Sequence, residues 1–153
     1  MSPYPLEPAR ALGPMRFVVT TYPSREAALA AIDTVLKGRL AVCANIVSAH
    51  SRYWWQGRLE SADESVILFK TVPKRVGALF RFLETNHPYE VPEIVEVDAP
   101  RVGAAYLRYL AATIDPESTP PPLGGGTIRR AAPRARGARG PRRTRAPLHP
   151  RSR

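Results

Sequence analysis

The chain has 153 residues, a length that suits one domain with tails better than two. Its formal charge of +10 is concentrated at one end: ten of the 23 basic residues are arginines within 118–153, a stretch with no acid, while the other 13 face all 13 acids in residues 1–117. That balance argues against a basic nucleic-acid surface on the folded part, no run approaches the ~18 apolar residues of a membrane-spanning helix, and a lone cysteine, Cys43, excludes an internal disulfide.

Residues 1–15 (MSPYPLEPARALGPM) carry four prolines and an acid where a secretory signal needs an apolar core, so the sequence predicts a flexible leader and a cytoplasmic protein. Met15 stands directly before the first strand-like run and is an alternative start of the functional protein. Arg16–Tyr22 is rich in β-branched and aromatic residues and reads as a strand ended by Pro23. Ser24 is placed to cap a helix, with Glu26 near its positive end. Ala28, Leu29, Ile32, Val35 and Leu36 share one helical face, and Gly38 offers a left-handed stop.

Leu40–Val47 reads as a short apolar strand. Ser51–Gln56 resumes β-prone composition, and Gln56–Gly57 offers a turn into a strand over Glu64–Thr71, apolar on both faces at Val66–Phe69. By alternation Tyr53 and Trp55 point one way and Trp54 the other, giving a hairpin with an aromatic arm. Pro73 suits the first turn of a second helix, with Val76, Leu79, Phe80 and Leu83 on its apolar face and Asn86 at its close. His87–Glu93 (HPYEVPE) is expected to be extended by its two prolines, Ile94–Val97 to be a short strand, and Arg101–Ile114 to be a last helix presenting Val102, Ala105, Tyr106, Tyr109 and Leu110 and ending at Pro116. The order is β-α-β-β-α-β plus a C-terminal helix: an α+β, ferredoxin-like sandwich over 16–116 with one sheet face in need of cover. Residues 117–153 combine PPP, GGG and Arg-Pro-Ala-Gly repeats with three large apolar residues, too few to offset ~1–2 kcal/mol per residue of ordering entropy. The prediction there is a disordered basic tail.

Val42–Gly57 (VCANIVSAHSRYWWQG), Phe69–Thr71 (FKT), His87–Glu93 (HPYEVPE) and Tyr106–Leu107 together resemble the CutA family over roughly residues 16–114. The resemblance implies a ferredoxin-like protomer in a tight homotrimer, hairpins reaching across to neighbours, and a link to divalent-cation tolerance, copper especially. It also implies departures. Some copper-binding relatives carry a thiol at the end of the first strand, where this chain has Thr20. Some have two adjacent histidines where it has Asn86–His87. The loop at Ser48–His50 is one residue shorter than the common form, and Tyr109 replaces a usual tryptophan.

His87 leads the metal candidates because neutral imidazole suits copper or zinc, with Glu90 three residues on and Cys43 as further donors. Each has a structural alternative. His87 closes the helix, and Cys43, mid-strand in an apolar run, packs as a small hydrophobe. His50 reads as a solvated loop histidine. Tyr53, Trp55, Lys70, Tyr89, Glu90 and Glu93 are candidates for a cleft between subunits, or for a polar network at the interface. No HExxH, CxxC, GxSxG or GxxxxGK[ST] pattern occurs. The leading expectation is a non-enzymatic trimer that binds a divalent cation such as copper weakly, or a small ligand between subunits, with no cofactor required. The alternative is a trimer that binds nucleic acid through its arginine tails. An enzyme using Lys70, His87 and Glu90 lacks any nucleophile–base pair and ranks last.

Overall fold

The computed structural model describes residues 13–115. Of the leader expected over 1–15, residues 1–12 lie outside the described residues, as do the expected stop at Pro116 and the tail expected over 117–153. The elements run β1 (Met15–Tyr22), α1 (Arg25–Lys37), β2 (Cys43–Trp55), β3 (Arg58–Thr71), α2 (Pro73–Asn86), β4 (Ile94–Ala99) and α3 (Ala104–Ile114). They form an α+β fold with one four-stranded sheet, ordered β2-β3-β1-β4, in which all three pairings are antiparallel.

Strand alternation sorts the core into two layers. Val18 and Tyr22 of β1 and Ile67 and Phe69 of β3 pack under Ala28, Ile32 and Val35 of α1 and Leu79 and Leu83 of α2. Met15, Val42 and Ala99 form a second cluster with Leu110 and Ile114 of α3, joined by Phe17 and Cys43. Phe17 and Val18 are sequence neighbours on a strand, so α3 lies on the face opposite α1 and α2. Each fully buried Leu, Ile or Phe here contributes about 1.5–3 kcal/mol.

Beyond the reach of α3 that second face stays partly open. Cross-strand partners share a face, which places Val19, Leu68, Asn45 and Val95 in one row and Thr21, Val66 and Val47 in the next. Val47, Val95 and Val97 are 51%, 44% and 44% exposed. Within the protomer the central strands are therefore fully covered on one side only, and the other is the sheet face that the sequence leaves in need of cover.

Several boundaries differ from the sequence expectation for identifiable reasons. The fold takes in residues 13–15: Met15 is buried in β1, and the Gly13 N–H donates to Asp98 Oδ1 at 2.8 Å. Arg16, 4% exposed, fastens this start to the edge strand through Glu96 (2.7 Å), Asp98 (2.6 Å) and the Gly13 carbonyl (2.6 Å). Ser24 caps α1 as expected, its Oγ accepting the Ala27 N–H at 3.1 Å. The left-handed residue after α1 is Arg39 (φ 51°), not Gly38 (φ −78°). The Leu40 N–H reaches the Val35 carbonyl and the Arg39 N–H the Leu36 carbonyl, a Schellman ending in which the glycine sits one position early. Leu29 is exposed rather than core.

The two β segments expected on either side of Ser48–His50 are one 13-residue strand, β2, which pairs residue by residue with β3 from Cys43↔Lys70 to Trp55↔Arg58. Gln56 (φ 48°) and Gly57 (φ 77°) close the ribbon in the two-residue, positive-φ turn that matches strand twist. α3 starts at Ala104, three residues late, and leaves Tyr109 half exposed. Residues 88–91 bend rather than extend.

Candidate functional site

α2 ends where Pro88 forces its predecessor out of helical geometry: His87 has φ −73° and ψ 139°. The imidazole turns back onto β1. Its Nε2 lies 3.2 Å from Thr20 Oγ1, its Nδ1 accepts the Tyr89 N–H at 3.1 Å, and its ring rests on Tyr22 with centroids 4.4 Å apart. With Nδ1 accepting, the proton of the neutral ring belongs on Nε2. Burial lowers the His87 pKa, offset in part by the Thr21 backbone and the charge of Glu64. The bend at Pro88–Val91 then lets the Tyr89 hydroxyl donate to Glu64 Oε1 at 2.8 Å. Burial, followed by the bond to and charge of Glu64 and a small contribution from Tyr53, pushes the Tyr89 hydroxyl far above its ordinary value. Tyr89 is thus a hydrogen-bond donor at physiological pH and not a proton carrier. Burial raises Tyr22 as well, and its hydroxyl is buried without a hydrogen-bond partner among the described residues.

The residues singled out from the sequence divide into separate groups. His87 and Tyr89 meet through the Tyr89 N–H, with Tyr53 near enough to Tyr89 to act on its charge. Lys70 is six residues along β3 from Glu64, about 20 Å away. There its ammonium donates to Asn45 Oδ1 and stands 3.8 Å from Cys43 Sγ. Cys43 shares a row with Lys70 and Phe17, on the α3 side of the sheet, whereas Thr20 and Tyr22 beside His87 lie on the α1–α2 side. Glu90 and Glu93 are exposed, and Trp55 stands at the ribbon's end opposite Arg58. His50 is exposed and bonded through Nδ1 to Asp63 at 2.7 Å.

His87, Cys43 and Glu90 are therefore not assembled into one site. Among the described residues no group of three or more His, Cys, Asp or Glu side chains is disposed to hold a metal ion. The donor chemistry agrees: the Nδ1 lone pair of His87 is engaged by Tyr89, and the neighbour of Nε2 is a hydroxyl where a thiol would have supplied a soft ligand. The described residues of one protomer do not fit a copper or zinc centre.

Glu64 and Tyr22 were missed by sequence reasoning. Tyr22 read as the end of a strand and Glu64 as the start of another, and their partners lie 65 and 25 residues away. No local pattern pairs such residues.

Comparison with known proteins agrees with this architecture. Residues 16–113 match the family model described as CutA1 divalent ion tolerance protein. The divalent-cation tolerance protein CutA of Pyrococcus horikoshii is 36% identical over 96 residues, covering 63% of this chain and 94% of that one. The Escherichia coli protein of the same name is 33% identical over 98 residues, covering 63% and 88%. The periplasmic divalent cation tolerance protein CutA of Archaeoglobus fulgidus superposes with a TM-score of 0.64 at 28% identity, over 66% of this chain and 99% of that one. The chain belongs to the CutA1 divalent ion tolerance protein family.

Proposed function

We propose that the chain is a homotrimeric protein of divalent-cation tolerance that performs no catalysis and meets divalent cations, copper among them, or small ligands weakly at clefts between its subunits. The observation that carries this reading is the open sheet face. Val47, Val95 and Val97, beside the half-buried Val19, Val66 and Leu68, make an apolar surface that α3 leaves bare at one end. Contiguous apolar surface of this kind marks an interaction site, and obligate assemblies bury ~2,000 Å² or more. The β-α-β-β-α-β order with strand order β2-β3-β1-β4 is read here as the ferredoxin-like arrangement. The long ribbon carries Tyr53 and Trp55 on the same face as Val47, where a neighbour would meet them.

Weak metal binding follows from the donor set. A cation bound by His87 must compete with the Tyr89 N–H, and Glu90, exposed nearby, can contribute only from the surface. Cys43 stays a free thiol, in keeping with a cytoplasmic location. Sedimentation of the full chain at micromolar concentration tests the assembly: three chains per particle are expected, dissociating in Val97→Asp. A stable monomer refutes the reading.

A second reading rests on one observation, the ten arginines and no acid of residues 118–153. Three such tails on a trimer would bind nucleic acid without sequence preference, by phosphate contacts, with log K falling ~0.9 per released counterion for each tenfold rise in salt. Fluorescence anisotropy with random DNA at two salt concentrations, comparing the full chain with residues 1–117, decides it. Equal binding by both, or none by either, removes the tail from the function.

A further inference from the structure

The sheet register gives the folded domain two distinct ends. At one of them β1 begins and β3 and β4 finish, because Met15 stands opposite Ala99 and Arg16 opposite Thr71. The chain leaving α1 arrives there too: Thr71 Oγ1 donates to the Leu40 carbonyl at 2.6 Å, just past Gly38 and Arg39. Arg39 Nη1 donates to the Thr113 carbonyl, and Lys74 and Arg75 of α2 both bind the Asp115 carboxylate. These bonds fix the end of α3 at the same place. The β2–β3 turn, the start of α1 and the loop after α2 belong to the other end.

The balance of charge over residues 1–117 argues against a basic surface only if the charge is spread evenly, and it is not. Residues 34–40, 73–76, 99–103 and 113–115, at the first end, hold five cations (Lys37, Arg39, Lys74, Arg75 and Arg101) and one acid, Asp115. Residues 23–26, 48–65 and 84–93, at the other, hold three cations and seven acids. Glu96 and Asp98 lie near the basic end, but both bind the buried Arg16. Among the described residues Lys37, Arg39 and Arg101 form no ion pair, and all three are exposed. Exposed cations without counter-charges raise the local potential and attract a polyanion. None of the exposed large apolar side chains falls in these four segments. A bilayer surface would be held by an apolar anchor as well as by charge, so the chemistry favours nucleic acid, which presents a phosphate for every ~1.7 Å of duplex.

The chain continues from Asp115, at this end, into residues 118–153 with their ten arginines and no acid. We propose that the basic end of the folded domain, Lys37, Arg39 and Arg101 foremost, contacts the phosphate backbone of the nucleic acid that the arginine tail engages. This rests on the second reading above and deepens it, since there the tail acts alone. A duplex held by the tail meets these cations at the high effective concentration that tethering provides. Contacts of this kind position the duplex and carry no sequence preference.

The test is fluorescence anisotropy of the full chain on a random-sequence DNA duplex at several salt concentrations. Lys37→Gln combined with Arg101→Gln should weaken binding on the order of tenfold and make the salt slope shallower by about 2, one for each lost phosphate contact. Arg39 is left in place because its bond to Thr113 holds α3. Arg25→Gln combined with Arg52→Gln removes the same charge from the other end and should change neither quantity. All four side chains are exposed, so both double variants keep the fold, which thermal melts check. Equal losses from the two pairs would reduce the effect to net charge, and an unchanged slope in the first pair would leave the tail as the contact. Either overturns the proposal with the tail reading intact, whereas no binding by the full chain overturns both. Vesicles of phosphatidylserine and phosphatidylcholine that lose binding in the first pair, while the duplex does not, would assign this end to a membrane and overturn it too.

Discussion

Replacing Asp98 by alanine removes the acceptor that holds two groups at once: the Gly13 N–H at 2.8 Å and Arg16 Nη1 at 2.6 Å. Arg16 is 4% exposed and cannot swing into water without dragging β1 away from β4, so its charge would be left to Glu96, which is itself 40% exposed. Breaking a buried ion pair from one side costs about 3–5 kcal/mol. The surviving Glu96 bond and the Gly13 and Met15 carbonyls, which accept from Arg16, soften that, and about 2–3 kcal/mol is expected. For a domain near 100 residues this lowers Tm by roughly 10–15 °C. Denaturant unfolding at fixed chain concentration measures it, because an oligomer's apparent stability depends on concentration. Arg16→Met combined with Asp98→Ala should recover most of the loss, since the penalty belongs to the stranded charge. A loss below about 0.5 kcal/mol, or a double variant no better than the single, would refute the view of Arg16 as a buried clamp on the edge strand.

Tyr22→Phe deletes a buried hydroxyl that has no partner among the described residues, so thermal unfolding should show no loss and a gain of up to about 1 kcal/mol; a loss of that size would reveal a hidden acceptor. Gln56→Asn or Gln56→Gly should stabilise the ribbon by about 0.5–1 kcal/mol, because Gln56 occupies positive φ at a turn that favours those residues. The His87 pKa is lowered in the folded protein, so on acidification the unfolded chain takes up the proton first. Stability from neutral His87 is complete above its ordinary value near 6.5 and declines as pH falls through the window beneath it. His87→Gln should flatten that slope in a series of melts, and an unchanged slope would assign it to other groups.

α1 and α2 were legible because their apolar residues recur at helical spacing and their first turns carry Ser24 and Pro73, each acting through a local rule. The opposite facing of Trp54 from Tyr53 and Trp55 was equally legible, since alternation needs only parity; Trp54 is 74% exposed and the other two are half buried. The continuity of β2 was not. Ser48, His50 and Ser51 are polar, and they stay in the strand because β3 supplies a partner at every position. Arg39 took the left-handed role from Gly38 because the Schellman bonds of Leu40 and Arg39 fix the position, and steric ease at Gly38 does not. At the candidate site the sequence singled out His87 and Tyr89 but could not assign their partners. Thr20 and Glu64 are brought there by sheet register and by the bend after Pro88, neither of which leaves a local pattern. Listing His87, Cys43 and Glu90 together rested on donor chemistry alone, and strand alternation puts Cys43 on the other side of the sheet.

The central claim, a trimer joined through the open sheet face with no strong metal centre built into the protomer, is tested most directly by native mass spectrometry of the full chain with and without Cu(II). The account predicts a three-chain mass in both spectra, with copper adducts that are lost on mild activation. A one-chain mass, or one copper per chain retained through dissociation, would contradict it.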